Sequence, residues 1–220
     1  MHTATAKEVR GEEMNDFDAK ARAWDQDPIR IERTRAVADT IARLIPLDKT
    51  MHCLEYGAGT GLLGFALQPQ VGSVVLADSS AGMLAVAGEK IAAAGLSDRM
   101  RTARIDLLQD PLPGERFDLL CTLLTLHHIP DIPAILAKFN AVLTHGGRLC
   151  ISDIDSEDGS FHQGPFEGHH GFDRPELSRL VEEAGFVKVR IETAYVIPRM
   201  VNGVMRQFPL FLLTAEKIKA

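Results

Sequence analysis

The chain reads as an α/β fold of the doubly wound kind, a mostly parallel seven-stranded sheet with helices on both faces and an antiparallel last strand. Three observations predict it. Residues 50–61, TMHCLEYGAGTG, have the form of a buried strand that enters a tight glycine turn and then a helix beginning near Leu62. From there, apolar strand-like runs alternate with runs of helical period, the order expected of βα units joined by right-handed crossovers. Finally, Phe117–Leu123 is almost wholly apolar, which suits the buried centre of a parallel sheet.

In chain order, residues 1–15 read as loosely attached, and Phe17 and Trp24 follow in a short polar segment. Pro28 precedes a helix near Ile29–Leu44, whose Ile31, Thr34, Val37, Ala38, Ile41 and Leu44 recur at helical spacing. Its arginines and acids are assigned to a solvated face. Strand one is Met51–Tyr56, and the helix across Leu62–Leu67 is stopped by Pro69. Strand two, Ser73–Asp78, leads to a helix capped by Ser80 and closed by Gly95. A short strand near Arg101–Ile105 and the apolar strand Phe117–Leu123 come next. Helix 131–143 shows an apolar face of Ile132, Ile135, Leu136, Phe139 and Leu143, and Gly146 and Gly147 turn into strand five, Arg148–Ile154. Helix 174–184 ends at Gly185, and FVKVRIET and FPLFLLTAEKI supply the last two strands as a hairpin-like pair. The expected organisation is a flexible terminus and helical cap over residues 1–45, then one core over 46–220 with a substrate-side loop at 155–173.

A length of 220 residues with 45% hydrophobic content suits one soluble domain with a sizeable core. The 24 basic and 30 acidic residues give a net charge of −6, and basic runs such as KVR at 188–190 are broken by apolar positions. Nucleic acid is therefore not the expected partner. No run of about 18 apolar residues marks a membrane span, and the start has neither the secretory nor the transit pattern, so a cytoplasmic location is expected. Cys53, Cys121 and Cys150 each fall in an apolar run, without Cys-x-x-Cys spacing, and read as buried free thiols. Monomer and homodimer stay open.

The glycines Gly57, Gly59 and Gly61 allow positive φ and close approach of a ligand to the main chain. A dinucleotide fingerprint G-x-G-x-x-G starting at Gly57 would need glycine where Leu62 stands, and starting at Gly59 it must use Gly64, inside the expected helix. Glu55, just before the turn, would repel a pyrophosphate and attract a cation. Asp78, at the end of strand two, is placed to accept ribose hydroxyls. Two acids around a glycine turn suit a nucleoside carrying cationic groups, such as S-adenosylmethionine with its sulfonium and ammonium. An NAD-dependent oxidoreductase is the alternative.

The segment LEYGAGTG resembles motif I of the class I S-adenosylmethionine-dependent methyltransferases, an acidic residue followed by three alternating glycines. LADSSAGML at 76–84, ARIDLL at 103–108, FDLLCTLLTLHHI at 117–129 and LTHGGRLCISD at 143–153 are similar to the later motifs, in order. The resemblance implies a Rossmann-like core and methyl transfer to a small-molecule acceptor, with S-adenosylhomocysteine as coproduct. A non-catalytic cofactor-binding or protein-interaction module is the competing reading. The same resemblance implies cofactor contacts at Glu55, Gly57, Gly59 and Gly61, at Asp78 with Ser79 for the ribose, at Met83, Asp106 and Leu107 for the adenine, and a closing role for Trp24. Thr122, Thr125, His127 and His128 stand where the methionine portion or the acceptor would lie.

The connection 155–173 is too long and polar for a simple turn, and long connections of this kind are often functional. Its His162, His169 and His170 are candidates to orient or deprotonate an acceptor. The alternative is a polar cap over the next helix. Metal ligation is not expected, since the adjacent histidines lack the spacing of a helical His pair.

Overall fold

A computed structural model describes residues 17–162 and 164–218. The expected loose attachment of residues 1–15 lies outside them. Seven strands form one sheet: β1 (His52–Tyr56), β2 (Ser73–Asp78), β3 (Met100–Arg104), β4 (Phe117–Leu123), β5 (Leu143–Ile154), β6 (Phe186–Val201) and β7 (Val204–Lys217), in the order β3-β2-β1-β4-β5-β7-β6. All neighbouring pairs from β3 to β5 are parallel, and β7 runs antiparallel to both β5 and β6. The last strand in sequence is thus the antiparallel one, inserted one place in from the edge. Strand order reverses between β1 and β4, so a crevice opens at their carboxyl ends, the usual ligand position in such sheets.

The faces are covered by the helices α1 (Pro28–Leu44), α2 (Leu62–Leu67), α3 (Ala81–Ala93), α4 (Ile132–Val142) and α5 (Arg174–Glu183). Side chains alternate across a strand, so Cys53 and Leu54 of β1 enter different layers. Leu54 joins Leu120, Ile135, Phe139, Leu177 and Val181 beneath α4 and α5. Cys53 joins Val37, Ile41, Leu63, Leu67 and Ile91 beneath the other three helices. Helix α1 is therefore built into the core. Side-chain caps start the helices where the sequence signals them: Ser80 accepts from Met83 N–H, Asp131 from Ala134 N–H and Asp173 from Glu176 N–H.

Two boundaries differ from expectation. Gly146 and Gly147 do not precede strand five but lie inside it, in a bulge between the pairs Phe117–Leu143 and Leu119–Arg148. The last hairpin is also longer than FVKVRIET and FPLFLLTAEKI suggest, because β6 and β7 continue to a two-residue turn, Asn202-Gly203, with φ of +49° and +79°. Asn-Gly with both φ positive is the favoured two-residue hairpin turn. Cys53, Cys121 and Cys150 are buried free thiols on three adjacent strands, as expected. Among the described residues, no helix is long and apolar enough to cross a membrane, and no group of three or more His, Cys, Asp or Glu could hold a metal ion.

Candidate active site

The glycine turn takes φ of +69°, +55° and +83° at Gly57, Gly59 and Gly61, so each position favours glycine on backbone grounds. Their surroundings differ. A Cβ at Gly57 would lie 2.2 Å from Thr125 Cγ2, and one at Gly61 would lie 2.5 Å from Leu76 Cδ1. A Cβ at Gly59 would find nothing nearer than Met83 Sδ at 3.8 Å and Trp24 Nε1 at 3.9 Å. Gly57 and Gly61 thus serve close packing, whereas Gly59 has room for a Cβ in ordinary contact with a thioether and an indole.

Two carboxylates hold this turn. Asp78 Oδ2 accepts from Gly59 N–H at 2.7 Å and Oδ1 from Ser80 N–H at 2.9 Å. A carboxylate has about four acceptor sites, which leaves capacity for ribose hydroxyls. Ser79, next to it, receives Arg104 Nε on its carbonyl at 3.2 Å. Glu55 is only 3% exposed, and its Oε2 accepts from Gly64 N–H at 2.7 Å in the first turn of α2. Burial pushes its carboxyl up to about 8, so it is largely neutral near pH 7. Through this bond Glu55 braces the first turn of α2.

Asp106 makes its own turn, accepting from Leu108 N–H at 2.9 Å and Gln109 Nε2 at 2.8 Å. Leu107 is 1% exposed in the core with Tyr56, Val75 and Ala77, and its N–H reaches Tyr56 Oη at 3.3 Å. Thr122 is 1% exposed in β4, and its Oγ1 has no partner.

The segment before α1 closes over the turn. Residues 17–20 are helical and run into a 3-10 turn, Ala21–Gln26. Asp18 Oδ1 accepts from Ser80 Oγ at 2.5 Å and Gly82 N–H at 2.8 Å, while Asp25 accepts from Thr60 Oγ1 and from Lys90 Nζ, each at 2.5 Å. Trp24 packs edge-on to Phe17, at 5.8 Å between centroids, and carries the Arg30 guanidinium 3.6 Å over its ring. Phe17 in turn meets His128 at 5.5 Å. This covering segment joins the glycine turn to the histidines beyond β4.

At the end of β4, Leu124 takes a left-handed φ of +52° and leads into the 3-10 turn Leu126–His128. The turn brings His127 onto Asp153 near the carboxyl end of β5. His127 Nδ1 lies 2.7 Å from Asp153 Oδ1 and its N–H 3.1 Å from Oδ2, with the side chains 2% and 0% exposed. That contact assigns the ring proton to Nδ1 and leaves Nε2 as the acceptor. The His127 ring lies 4.2 Å from that of His128 and 5.2 Å from that of His162, while His162 stacks on Phe166 at 3.6 Å and 9°. Burial and the neighbouring His127 lower His128 to about 3 and His162 to about 4. His128 Nδ1 and His162 Nε2 are buried without partners.

Of the three loop histidines expected at the acceptor, His162 lies against His127 and His128 themselves, while His170 reaches Phe166 edge-on at 6.0 Å. His169 is spent on the fold, with Nε2 2.9 Å from Ile129 O and its N–H donating to His127 O at 2.8 Å. His170 is 46% exposed and sits 3.4 Å from Glu157 Oε1 without hydrogen-bond geometry. Both brace the loop, because their backbone pairs with His127 and Glu157. Sequence reasoning missed Asp153, although it is a strand-end acid in LCISD just as Asp78 is in VVLAD. It also misassigned Arg30 and Arg33, which share a helical stripe with the buried Thr34, Val37 and Ile41.

Comparison with known proteins agrees with this architecture. A family profile described as a methyltransferase domain matches residues 29–191. A 27-O-demethylrifamycin SV methyltransferase of Amycolatopsis mediterranei is 28% identical over 133 residues, covering 60% of this chain and 49% of the relative. A 2-phytyl-1,4-naphtoquinone methyltransferase of Synechococcus elongatus is 36% identical over 107 residues, covering 46% of this chain and 45% of the relative. The chain thus spans about half the length of these relatives. In fold it is similar to the crystal structure of a SAM-dependent methyltransferase from Aquifex aeolicus, with a TM-score of 0.67 and 22% identity, covering 91% and 98% of the two chains.

Proposed function

Because the chain belongs to the methyltransferase-domain family, we propose that it transfers a methyl group from S-adenosylmethionine to a small-molecule acceptor, with His127 as the base. The observation that carries this reading is the buried His127–Asp153 pair at the ends of β4 and β5, beside β1, whose glycine turn sets Gly59 against Met83 and Trp24. The two relatives are named for a rifamycin and a naphthoquinone, both small molecules.

The residues present fit the cofactor. Gly59 offers a main chain without a side chain, Asp78 retains acceptor capacity for ribose hydroxyls, Met83 and Trp24 supply apolar contact, and Thr122 Oγ1 is a buried hydroxyl awaiting a partner. An unmet buried polar group costs about 1–3 kcal/mol, which a ligand's polar atoms would recover. The cofactor supplies an electrophilic methyl group on a sulfonium. The chain's own work is then to hold the acceptor in line, exclude water and take a proton. Trp24 and Phe17 form the cover, latched by Asp18 to α3 and by Asp25 to Lys90.

His127 takes the proton when the acceptor is a hydroxyl, an amine or a carbon acid. Asp153 holds the ring in the tautomer that leaves Nε2 free and stabilises the imidazolium that forms. His128 and His162 stay neutral at pH 7, since their pKa values lie near 3 and 4, and shape the pocket beside it. A cytoplasmic location goes with this reading, and three free thiols suit a reducing compartment.

The test has two arms. Calorimetry should show S-adenosylhomocysteine bound by the wild-type protein, and a screen of small hydroxylated, amine and carbon-acid acceptors should yield S-adenosylhomocysteine from S-adenosylmethionine. Tight cofactor binding with no turnover across a broad screen would favour a non-catalytic binding module. NAD binding in place of the cofactor would overturn the family-based reading of the site.

A further inference from the structure

The last hairpin runs on past the sheet. β5 leaves β7 at the Ile154–Leu210 pair, with one further bond from Asp155 N–H to Pro209 O, so residues 196–201 and 204–209 continue as a two-stranded arm closed by Asn202-Gly203. Residues paired across antiparallel strands share a face. On the inner face Ile197 and Phe208 are buried, and Phe208 meets Phe161 edge-on at 5.3 Å. The arm's two charged side chains belong to this face as well. Arg199 donates to Phe161 O, and Arg206 donates to Asp158 Oδ2 at 2.8 Å and Ser160 Oγ at 2.5 Å.

The outer face is made by the pairs Val196–Pro209, Pro198–Gln207 and Met200–Met205. Val196, Met200 and Met205 are 41%, 52% and 53% exposed. None of these six positions is charged, in a chain whose residues are 25% charged. A two-stranded hairpin is marginal in water until further strands or a packed face support it, and a contiguous apolar strip marks an interaction site. Strand addition is not the way to cover it. β6 is the outermost strand, but Pro198 has no N–H to offer and bulges interrupt the ladder at Val187/Arg190 and Thr193/Tyr195, devices that blunt an edge. A partner therefore meets the face of the arm.

We propose that this outer face docks on the same face of a second copy of the chain, the two arms stacking as layers about 10 Å apart. The charge pattern selects that occupant. In a two-fold contact one patch meets itself, so any charge on it would lie close to its like, and here there is none. An anionic lipid surface would call for lysine or arginine on the face, whereas both arginines of the arm are held on the other side by Phe161 O and Asp158. Methionine is unbranched and adaptable, so Met200 and Met205 can pack against their own copies. Six residues per strand at about 3.3 Å each make a face only about 20 Å long, two strands wide. That is smaller than the ~800 Å² per partner of a standard interface, so the dimer is reversible, with a Kd of about 10–100 μM. The contact does not depend on the methyl-transfer reading.

Sedimentation velocity on the full chain tests it, from about 5 to about 500 μM, a range that brackets the expected Kd. The wild type should pass from monomer to dimer across that range. Met200→Glu and Met205→Glu should each weaken the dimer at least about tenfold, because like charges then face one another across the two-fold axis. Ile218→Glu, at a site equally exposed at 53% but outside the arm, should leave it unchanged. The wild type gives a second measurement that needs no variant to fold: amide exchange over residues 196–209 should slow as concentration rises, while that of β3 stays constant. A monomer at every concentration, exchange in the arm that ignores concentration, or a dimer that survives in both folded glutamate variants would overturn the proposal. So would a monomer that co-sediments with phosphatidylcholine vesicles and loses this in Met200→Glu, in favour of a lipid surface as the occupant.

Discussion

The two sides of the crevice are built differently. Around β1 and β2, the polar groups are closed into local bonds: Glu55 with Gly64, Asp78 with Gly59 and Ser80, and Ser80 with Met83. At β4 and beyond it, Thr122 Oγ1, His128 Nδ1, His162 Nε2 and Glu157 Oε1 are buried without hydrogen-bond partners among the described residues, as are Arg33 Nε on α1 and, at the far end of α2, Gln68 Nε2. The first side is a rigid cradle whose shape exists before any ligand arrives. The second is under-satisfied, and its unmet donors and acceptors are suited to a ligand that completes them. Thr125 ties the two together, since its Oγ1 lies 3.2 Å from Gly57 O.

The largest test of this contrast is catalytic. His127→Ala should lower turnover by about 10²- to 10⁴-fold, the usual range for a general base, while leaving S-adenosylhomocysteine affinity unchanged. Asp153→Asn should fall in the same direction through loss of the correct tautomer. His170→Ala, on the exposed side of the loop, should stay within about twofold of wild type. Steady-state kinetics with calorimetry on each folded variant reads all three, and a His170 effect larger than the His127 effect would return the base to the loop.

Within the cradle, the glycines should separate. Gly59→Leu places bulk against Met83 and Trp24, where the cofactor is proposed to lie, so S-adenosylhomocysteine affinity should fall about a hundredfold, with a fold cost of about 1–2 kcal/mol for the left-handed backbone. Gly57→Ala should be the more destabilising change despite its smaller side chain, since Thr125 lies 2.2 Å from the added methyl. Thermal melts beside binding isotherms would show this, and the reverse ranking would mean that the two positions face the opposite way.

The smallest effect is the pH response of Glu55. A carboxyl raised to about 8 when folded and near 4.5 when unfolded binds more protons in the folded state, so stability is full below the lower value and falls as pH rises through the upper one. At ~1.36 kcal/mol per pKa unit the whole shift is an upper bound, and a loss on the order of 2 kcal/mol between pH 5 and pH 8 is expected after relaxation around the charge. Glu55→Gln keeps the acceptor for Gly64 N–H and should flatten this slope in urea denaturation. An unchanged slope would mean that Glu55 is ionised in the fold and available to a cation.

What the sequence by itself determined is the local grammar: where strands end, where glycine is demanded, and which acid follows which strand. Asp78 and the glycine turn were legible because strand, turn and helix are contiguous, and propensity and spacing act over a few residues. Asn202-Gly203 is a turn signal that the reading of the last hairpin passed over. Only the tertiary structure decided which long-range pairs form. His127 and Asp153 are 26 positions apart and meet because β4 and β5 are parallel neighbours. His169 and His170, adjacent to plausible chemistry in sequence, are turned to structural use by the loop's backbone pairing. The physical reason is that a side chain's role depends on burial and on the partner left for it after the sheet order is set. Neither quantity is a property of the residues beside it in the chain.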